Sequence, residues 1–307
     1  MMATPRPWAA LALGVLLWSS PIGAAEVAVL KSSDVAAWRP ALEALKGGLP
    51  GHTITEYDFR GDRNEAERVL GGLKGRAAIL VAFGPLAAEA ARETAADQML
   101  VFCMVQDPAR AGLLNNVNVS GVAFSTPIKN QLAAFRLVYP RAVRIGVVHG
   151  PDEAVTRLVQ EAQKAAGVVR VVVMARPVAS ERDVPQALRA LLKGDEAVDA
   201  FWLPPDPMLL GDATRRFFLT ETLKAGKPVL SFSPALVSEG ALASNGADIA
   251  SIGEQAADLV TRLLVGERTA RGSLLIPRAE LVINKKIAEK LKIEIPADAL
   301  KAASRLF

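Results

Sequence analysis

The same alternation of strand and helix occurs twice along this chain, and few folds accommodate that pattern. From Glu26 to Leu30 a short apolar run predicts a strand. The helix after it carries Trp38, Ala41, Leu42 and Leu45 on one face at i, i+3, i+4 and i+7, and Gly47-Gly48 ends it. Thr53 to Phe59 alternates as a strand, Asn64 to Leu73 reads as a helix, and Ala77 to Phe83 is a second apolar strand. Gly84-Pro85 opens an alanine-rich helix to about Ala95, with proline near the first turn where its missing N–H is harmless. Met99 to Val105 then supplies a strand without a charge, the pattern of burial on both faces. A linking helix with Ile128, Leu132 and Phe135 inward closes at Tyr139-Pro140, and the order restarts. Strands are predicted at Val143 to His149, Val168 to Met174, Asp199 to Leu203 and Pro228 to Phe232, with helices from Glu153, Val184 and Ala213 between them. Each begins roughly 115 to 130 residues after its counterpart, without repeat of sequence. Alternating units of this length build a right-handed parallel sheet with helices on both faces, so two sets predict two similar α/β lobes.

The tail is too short for a third core. Ile252, Ala256, Leu259, Val260, Leu263 and Leu264 mark an amphipathic helix, Ala279 to Ile283 a strand, and Leu291 to Ile295 with an alanine-rich helix the end. About 60 residues of this kind must complete the two lobes already present. The chain then crosses between lobes more than once, which makes a multi-strand hinge. The expected division is 26–125 with about 246–270 in one lobe, and 126–245 with about 271–307 in the other.

Residues 1–25 read as a cleavable export signal. Arg6 is the sole charge, Trp8 to Trp18 is apolar, and Gly23-Ala24-Ala25 offers small residues for cleavage before Glu26. The apolar run is about half of the roughly 20 residues that span a bilayer. No cysteine stands at the cleavage point to take a lipid. The expected location is therefore beyond the inner membrane, in the periplasm. The single cysteine, Cys103, has no intramolecular partner and sits mid-strand, as a small core residue would.

Composition removes several function classes. With 51% hydrophobic residues the chain can bury one or two substantial cores, and 36 Lys and Arg against 32 Asp and Glu make a mixed surface. No basic block with interleaved aromatics points to nucleic acid. Neither G-x-x-x-x-G-K-S/T, G-x-G-x-x-G after the first strand, H-E-x-x-H, C-x-x-C nor G-x-S-x-G occurs, so direct ATP binding, a cofactor, a metal site and nucleophilic catalysis all lack a signature. The expectation is a protein that is not an enzyme.

What remains is a set of polar residues at strand carboxyl ends, where open parallel sheets bind ligands. In the first half these are Ser32 and Ser33, Phe83 and Gly84, and Gln106 and Asp107. In the second they are His149, Asp152 and Glu153, then Pro205 and Asp206, then Ser231, Phe232 and Ser233. Taken singly, each is more often a helix cap than a ligand contact. If the lobes face each other across these edges, both sets line one cleft. Hydroxyls and helix N-termini would accept an anionic group there, Asp107 or Asp206 would hold a cation or ammonium, and Phe83, Phe232 and Trp202 are available to an apolar or aromatic solute.

A family resemblance rests on these same residues. Val101-Phe102 through Asp107-Pro108 to Ala111-Gly112-Leu113, then Asn118-Val119-Ser120-Gly121-Val122, resembles the signature of an ABC-transporter substrate-binding family that includes aromatic-amino-acid-binding members. Arg144-Ile145-Gly146-Val147-Val148, Gly240-Ala241, Leu263-Leu264-Val265-Gly266 and the tail Leu281 to Ala288 are similar to it in order and spacing. The resemblance implies a type I periplasmic-binding-protein fold, with two Rossmann-like lobes joined by a three-strand hinge. It also implies closure on a small-molecule solute that is handed to an inner-membrane ABC permease. A ligand-sensing adaptor for a membrane receptor or histidine kinase would share these features. Gly84-Pro85-Leu86 departs from the family's frequent Gly-Thr-Pro, which removes a candidate ligand hydroxyl.

Overall fold

A computed structural model describes residues 25–307, so the segment expected to be an export signal lies, but for Ala25, outside the described residues. Five strands come first: β1 (Glu26–Lys31), β2 (Thr53–Asp58), β3 (Ile79–Phe83), β4 (Leu100–Cys103) and β5 (Val119–Val122). They pair in parallel in the order β2-β1-β3-β4-β5. The next five are β6 (Arg144–His149), β7 (Val172–Pro177), β8 (Ala200–Leu203), β9 (Val229–Ser231) and β10 (Ala243–Ala247). They repeat the arrangement as β7-β6-β8-β9-β10, again parallel. The fold is thus α/β, with two lobes, each a mostly parallel sheet between helices, as the resemblance implies.

Burial explains the strands. Every residue of β3 and β4 is buried, and alternate side chains enter two separate cores: Leu80, Ala82 and Phe102 on one face, Ile79, Val81, Phe83, Val101 and Cys103 on the other. Only strands covered on both sides tolerate such continuous apolar runs. Gly121, opposite Phe102 in the ladder, leaves room for its ring, which would stand 2.5 Å from a Cβ there.

The tail returns to the first lobe before finishing the second. Helix Ile249–Leu264 buries Ile252, Ala256, Leu259 and Val260 against the face of the first sheet that carries Val81 and Val101. β11 (Leu274–Leu275) then pairs with β5. β12 (Ala279–Ile283) runs antiparallel beside β10, and β13 (Arg305–Leu306) lies parallel to β12. The chain therefore leaves the first sheet after Leu275, a few residues beyond the boundary expected near 271.

Three local expectations shift. The strand expected at Val168 to Met174 starts at Val172, because Gly167–Val169 forms a 3-10 turn closed by Arg170 in the left-handed region (φ 57°). Ala243–Ala247 has no apolar run yet is a strand between β9 and β12. Trp38 sits in a 3-10 turn at the carboxyl end of β1, ahead of helix Arg39–Gly47.

Helices Arg39–Gly47 and Ile249–Leu264 touch backbone to backbone at Gly253, where any Cβ would collide with the Ala41 carbonyl. Neither helix can give way without disturbing the core, so Gly253→Ala is expected to destabilise by about 3 kcal/mol and lower Tm by roughly 6 to 12 °C. Gly47→Ala, in open space on the same helix pair, should leave Tm unchanged or slightly raised. Thermal melts of the two variants check this.

Candidate functional site

In each sheet the strand order reverses at one place, between β1 and β3 and between β6 and β8. A crevice opens at such a point beyond the strands' carboxyl ends, because successive loops diverge to opposite faces. Ser32, Ser33 and Gly84 flank the first switch point; Gly150 to Glu153 and Pro204 to Asp206 flank the second.

On the first lobe the floor is fixed by close packing. Ser32 Oγ accepts a hydrogen bond from the Ala87 amide (2.9 Å) and so holds the first turn of helix Pro85–Thr94. Gly84 has φ +90°, and a Cβ there would lie 2.6 Å from the Trp38 ring and 2.7 Å from Ser32 Oγ. Glycine is thus required by conformation and by space. Trp38, half-buried, stands over this glycine as an aromatic wall at the strand ends. Met104, just past β4, is held at φ 59°, a conformation rare for such a side chain, and turns the chain toward Gln106 and Asp107. Strain of this kind persists where the surroundings fix it and concentrates at binding sites.

Asp107 has two roles. Its Oδ1 accepts from the Arg110 amide (3.0 Å), the capping arrangement its position suggests. Its Oδ2 faces Arg157 Nη2 at 3.2 Å, and Arg157 belongs to helix Glu153–Ala166 of the other lobe. The guanidinium is also paired with Glu153 at 2.9 Å. Outside the three crossing segments, this is the ion pair that joins the two lobes among the described residues.

On the second lobe Asp206 is a pin. Only 1% exposed, its Oδ2 accepts from the Gly150 amide (2.6 Å) and its Oδ1 from the Met208 amide (2.9 Å), tying the loop after β8 to the loop after β6. Asp152 Oδ1 caps its helix through the Ala154 and Val155 amides. His149 is buried, with Nδ1 2.8 Å from the Gly150 carbonyl, so that nitrogen carries the proton. It lines, with Pro151, Thr156, Gln160 and Pro177, an open concavity of about 510 Å³ between helix Glu153–Ala166 and the end of β7. Phe232 is half-buried and Ser233 caps the helix after it, while Pro205 is half-buried and Gln106 exposed.

Three aromatic and hydroxyl residues turn inward instead of toward a solute. Phe83 (1% exposed) shares the core face with Ile79 and Val81, as strand parity dictates. Trp202 (1% exposed) packs in the second lobe's core, and Ser231, fully buried, gives its hydroxyl to the Ser233 carbonyl (3.0 Å). Trp38, expected inward by helical spacing, packs against the first lobe's core. One residue was missed. Arg157 forms an i, i+4 pair with Glu153, which from sequence reads as a solvated helix face.

The chain matches the model of the ABC transporter substrate binding protein family over residues 34–306, and it belongs to that family. It is 24% identical over 232 residues to a tyrosine-binding protein of Clostridioides difficile, covering 73% of this chain and 66%, just under two thirds, of that one. Among solved structures, a ligand-free, open substrate-binding protein with adhesive properties from Clostridium difficile superposes with TM-score 0.80 at 18% identity, covering 92% of this chain and 98% of that one. An ABC domain from Streptococcus pneumoniae in complex with L-Trp gives 0.64 at 22% identity, covering 93% and 100%. Proteins of this family bind small-molecule solutes and are typically extracytoplasmic. No helix among the described residues is long and apolar enough to cross a membrane, and no cluster of His, Cys, Asp and Glu there could hold a metal.

Two outcomes follow from these side chains. Asp206→Ala leaves the buried Gly150 amide and the partly buried Met208 amide without an acceptor and is expected to destabilise by about 3 kcal/mol in denaturant melts, with Asp206→Asn, which keeps one acceptor, losing less. Complete burial pushes the Cys103 thiol far above the usual range, so at neutral pH it stays protonated. A thiol reagent should leave the folded protein unlabelled and modify one group per chain once guanidinium unfolds it.

Proposed function

We propose that the protein is a periplasmic solute-binding component of an ABC importer, which captures an amino acid or other small polar or aromatic solute in the cleft between its lobes. The observation that carries this reading is the contact between Asp107 and Arg157, at 3.2 Å, because it brings the carboxyl-end loops of both sheets to one place. The names of the relatives, one tyrosine-binding and one crystallised with L-Trp, support an aromatic amino acid as the first solute to test.

The mechanism is capture without chemistry. Solute binds to the loops of one lobe, and bending of the three crossing segments brings the other lobe over it. A solute can shift that equilibrium only by the amount it prefers the closed form. The closed pair of lobes is then the surface an inner-membrane permease recognises, and the segment before Glu26 delivers the chain to that compartment.

A thermal-shift screen of amino acids, aromatic and organic acids, sugars and nucleosides tests the reading. Saturation at 100 times Kd contributes about 2.7 kcal/mol, roughly 5 to 11 °C in Tm for a chain of this size. Asp107→Ala should weaken binding of the responding solute by about 10- to 100-fold in calorimetry, the worth of one charge-assisted hydrogen bond. A melting curve unmoved by every small molecule would contradict solute binding.

A further inference from the structure

We infer that the concavity on the flank of the second lobe is a separate binding site, for a small uncharged amide whose N–H is accepted by His149 Nε2. The inference goes beyond capture in the cleft and does not rest on it. The space lies between helix Glu153–Ala166 and β7, the outermost strand of its sheet. Thr156, Gln160 and Gln163 line it at i, i+4 and i+7, one stripe of the helix. Arg157, which reaches the first lobe, stands on another stripe and does not border it.

His149 distinguishes this space from an ordinary surface hollow. It is only 6% exposed, and strand parity puts it with Ile145 and Val147 on the face of the sheet that the helix covers. Its Nδ1–H donates to the Gly150 carbonyl at 2.8 Å, which fixes the ring and makes Nε2 an acceptor. That acceptor has no donor among the described residues, and the ring borders the concavity. A buried acceptor left unpaired is costly, so a ligand that donates to it gains more than the same contact would give at an exposed site.

The walls define the ligand's chemistry. Among the described residues no Asp, Glu, Lys or Arg lines the space, so nothing offsets the desolvation of a charged ligand. Val159, Pro177 and Val178 give it apolar surface. The Val172 and Val178 amides both bond to β6, so the two-residue period of the strand turns the Ala175 N–H and C=O to the free edge. With the Gln160 carboxamide they offer donors and acceptors side by side, the complement of a peptide group. A whole added strand does not fit. Gln163 Nε2 already reaches the Val173 carbonyl (3.5 Å), and Pro177 has no N–H to give. About 510 Å³ is a usual size for a small-molecule pocket and here takes one or two peptide groups.

The chain has two histidines, His52 and His149, which makes ring ¹⁵N NMR a direct test. His52 Nδ1 accepts from the Ala25 amide (3.3 Å), so its proton is on Nε2 and the two rings are opposite tautomers with distinct signals. Protein carrying ¹⁵N-histidine is titrated at alkaline pH with N-acetylalanine methylamide and with cyclic dialanine. The controls are N-acetyl-N-methylalanine dimethylamide, which has no N–H, zwitterionic dialanine, and glucose. The His149 Nε2 signal is expected to move saturably with at least one N–H amide while the His52 signals stay still. The donor-free amide should bind roughly 2- to 10-fold more weakly, the worth of one neutral hydrogen bond. Gln160→Leu, on the exposed side of the helix, should weaken binding by a similar factor, whereas saturating the protein with the solute that raises Tm most should leave amide affinity unchanged. A His149 ring protonated on Nε2, or an Nε2 signal that no amide moves, would overturn the inference. Equal binding of the donor-free amide, or its replacement by dialanine or glucose as the ligand that binds, would overturn it too. Displacement of the amide by the cleft solute would assign the concavity to the cleft and end the claim of a separate site.

Discussion

The approach of Gly253 to the Ala41 carbonyl is the constraint on which the molecule depends. It lets helix Ile249–Leu264 lie close against helix Arg39–Gly47, and so lets a segment that follows the whole second sheet cover one face of the first. The first lobe is therefore not complete until Leu275 has paired with β5. A chain that must return in this way passes between the two sheets three times.

The crossings are tied to one another. The Ala123 amide donates to the Leu275 carbonyl (2.8 Å), and the Asp248 amide to the Arg278 carbonyl (2.8 Å). Thr126 Oγ1 reaches the Asn245 carbonyl, Asn245 Nδ2 the Asn130 carbonyl, and Gln255 Nε2 the Ile276 carbonyl (3.0 Å). At Gly246 a Cβ would stand 2.5 Å from the Phe232 carbonyl, so β10 runs flush against the loop after β9.

Much of the fold was legible because its strands are buried on both faces. Continuous runs such as Ile79–Phe83 and Leu100–Cys103 fit few environments, and their spacing revealed the repeat. Ala243–Ala247 escaped because a strand of Ala, Ser, Asn and Gly has no apolar signature; its pairing with β9 and β12 decides its state. The loops of the site were legible as places and less so as roles. Asp206 and Asp152 have the sequence context of caps and serve as caps, whereas Phe83 faces the core by parity with Ile79 and Val81. Arg157 could not be found, because its partner Asp107 lies 50 residues away in sequence and the nearby Glu153 already explains it.

The central claim is that solute binding closes two lobes that share three crossings. Small-angle X-ray scattering of residues 26–307, with and without the solute that stabilises them most, tests this directly. The radius of gyration should fall on saturation, and the distance distribution should lose its longest vectors. Calorimetric saturation with an unchanged scattering curve would contradict a closing cleft.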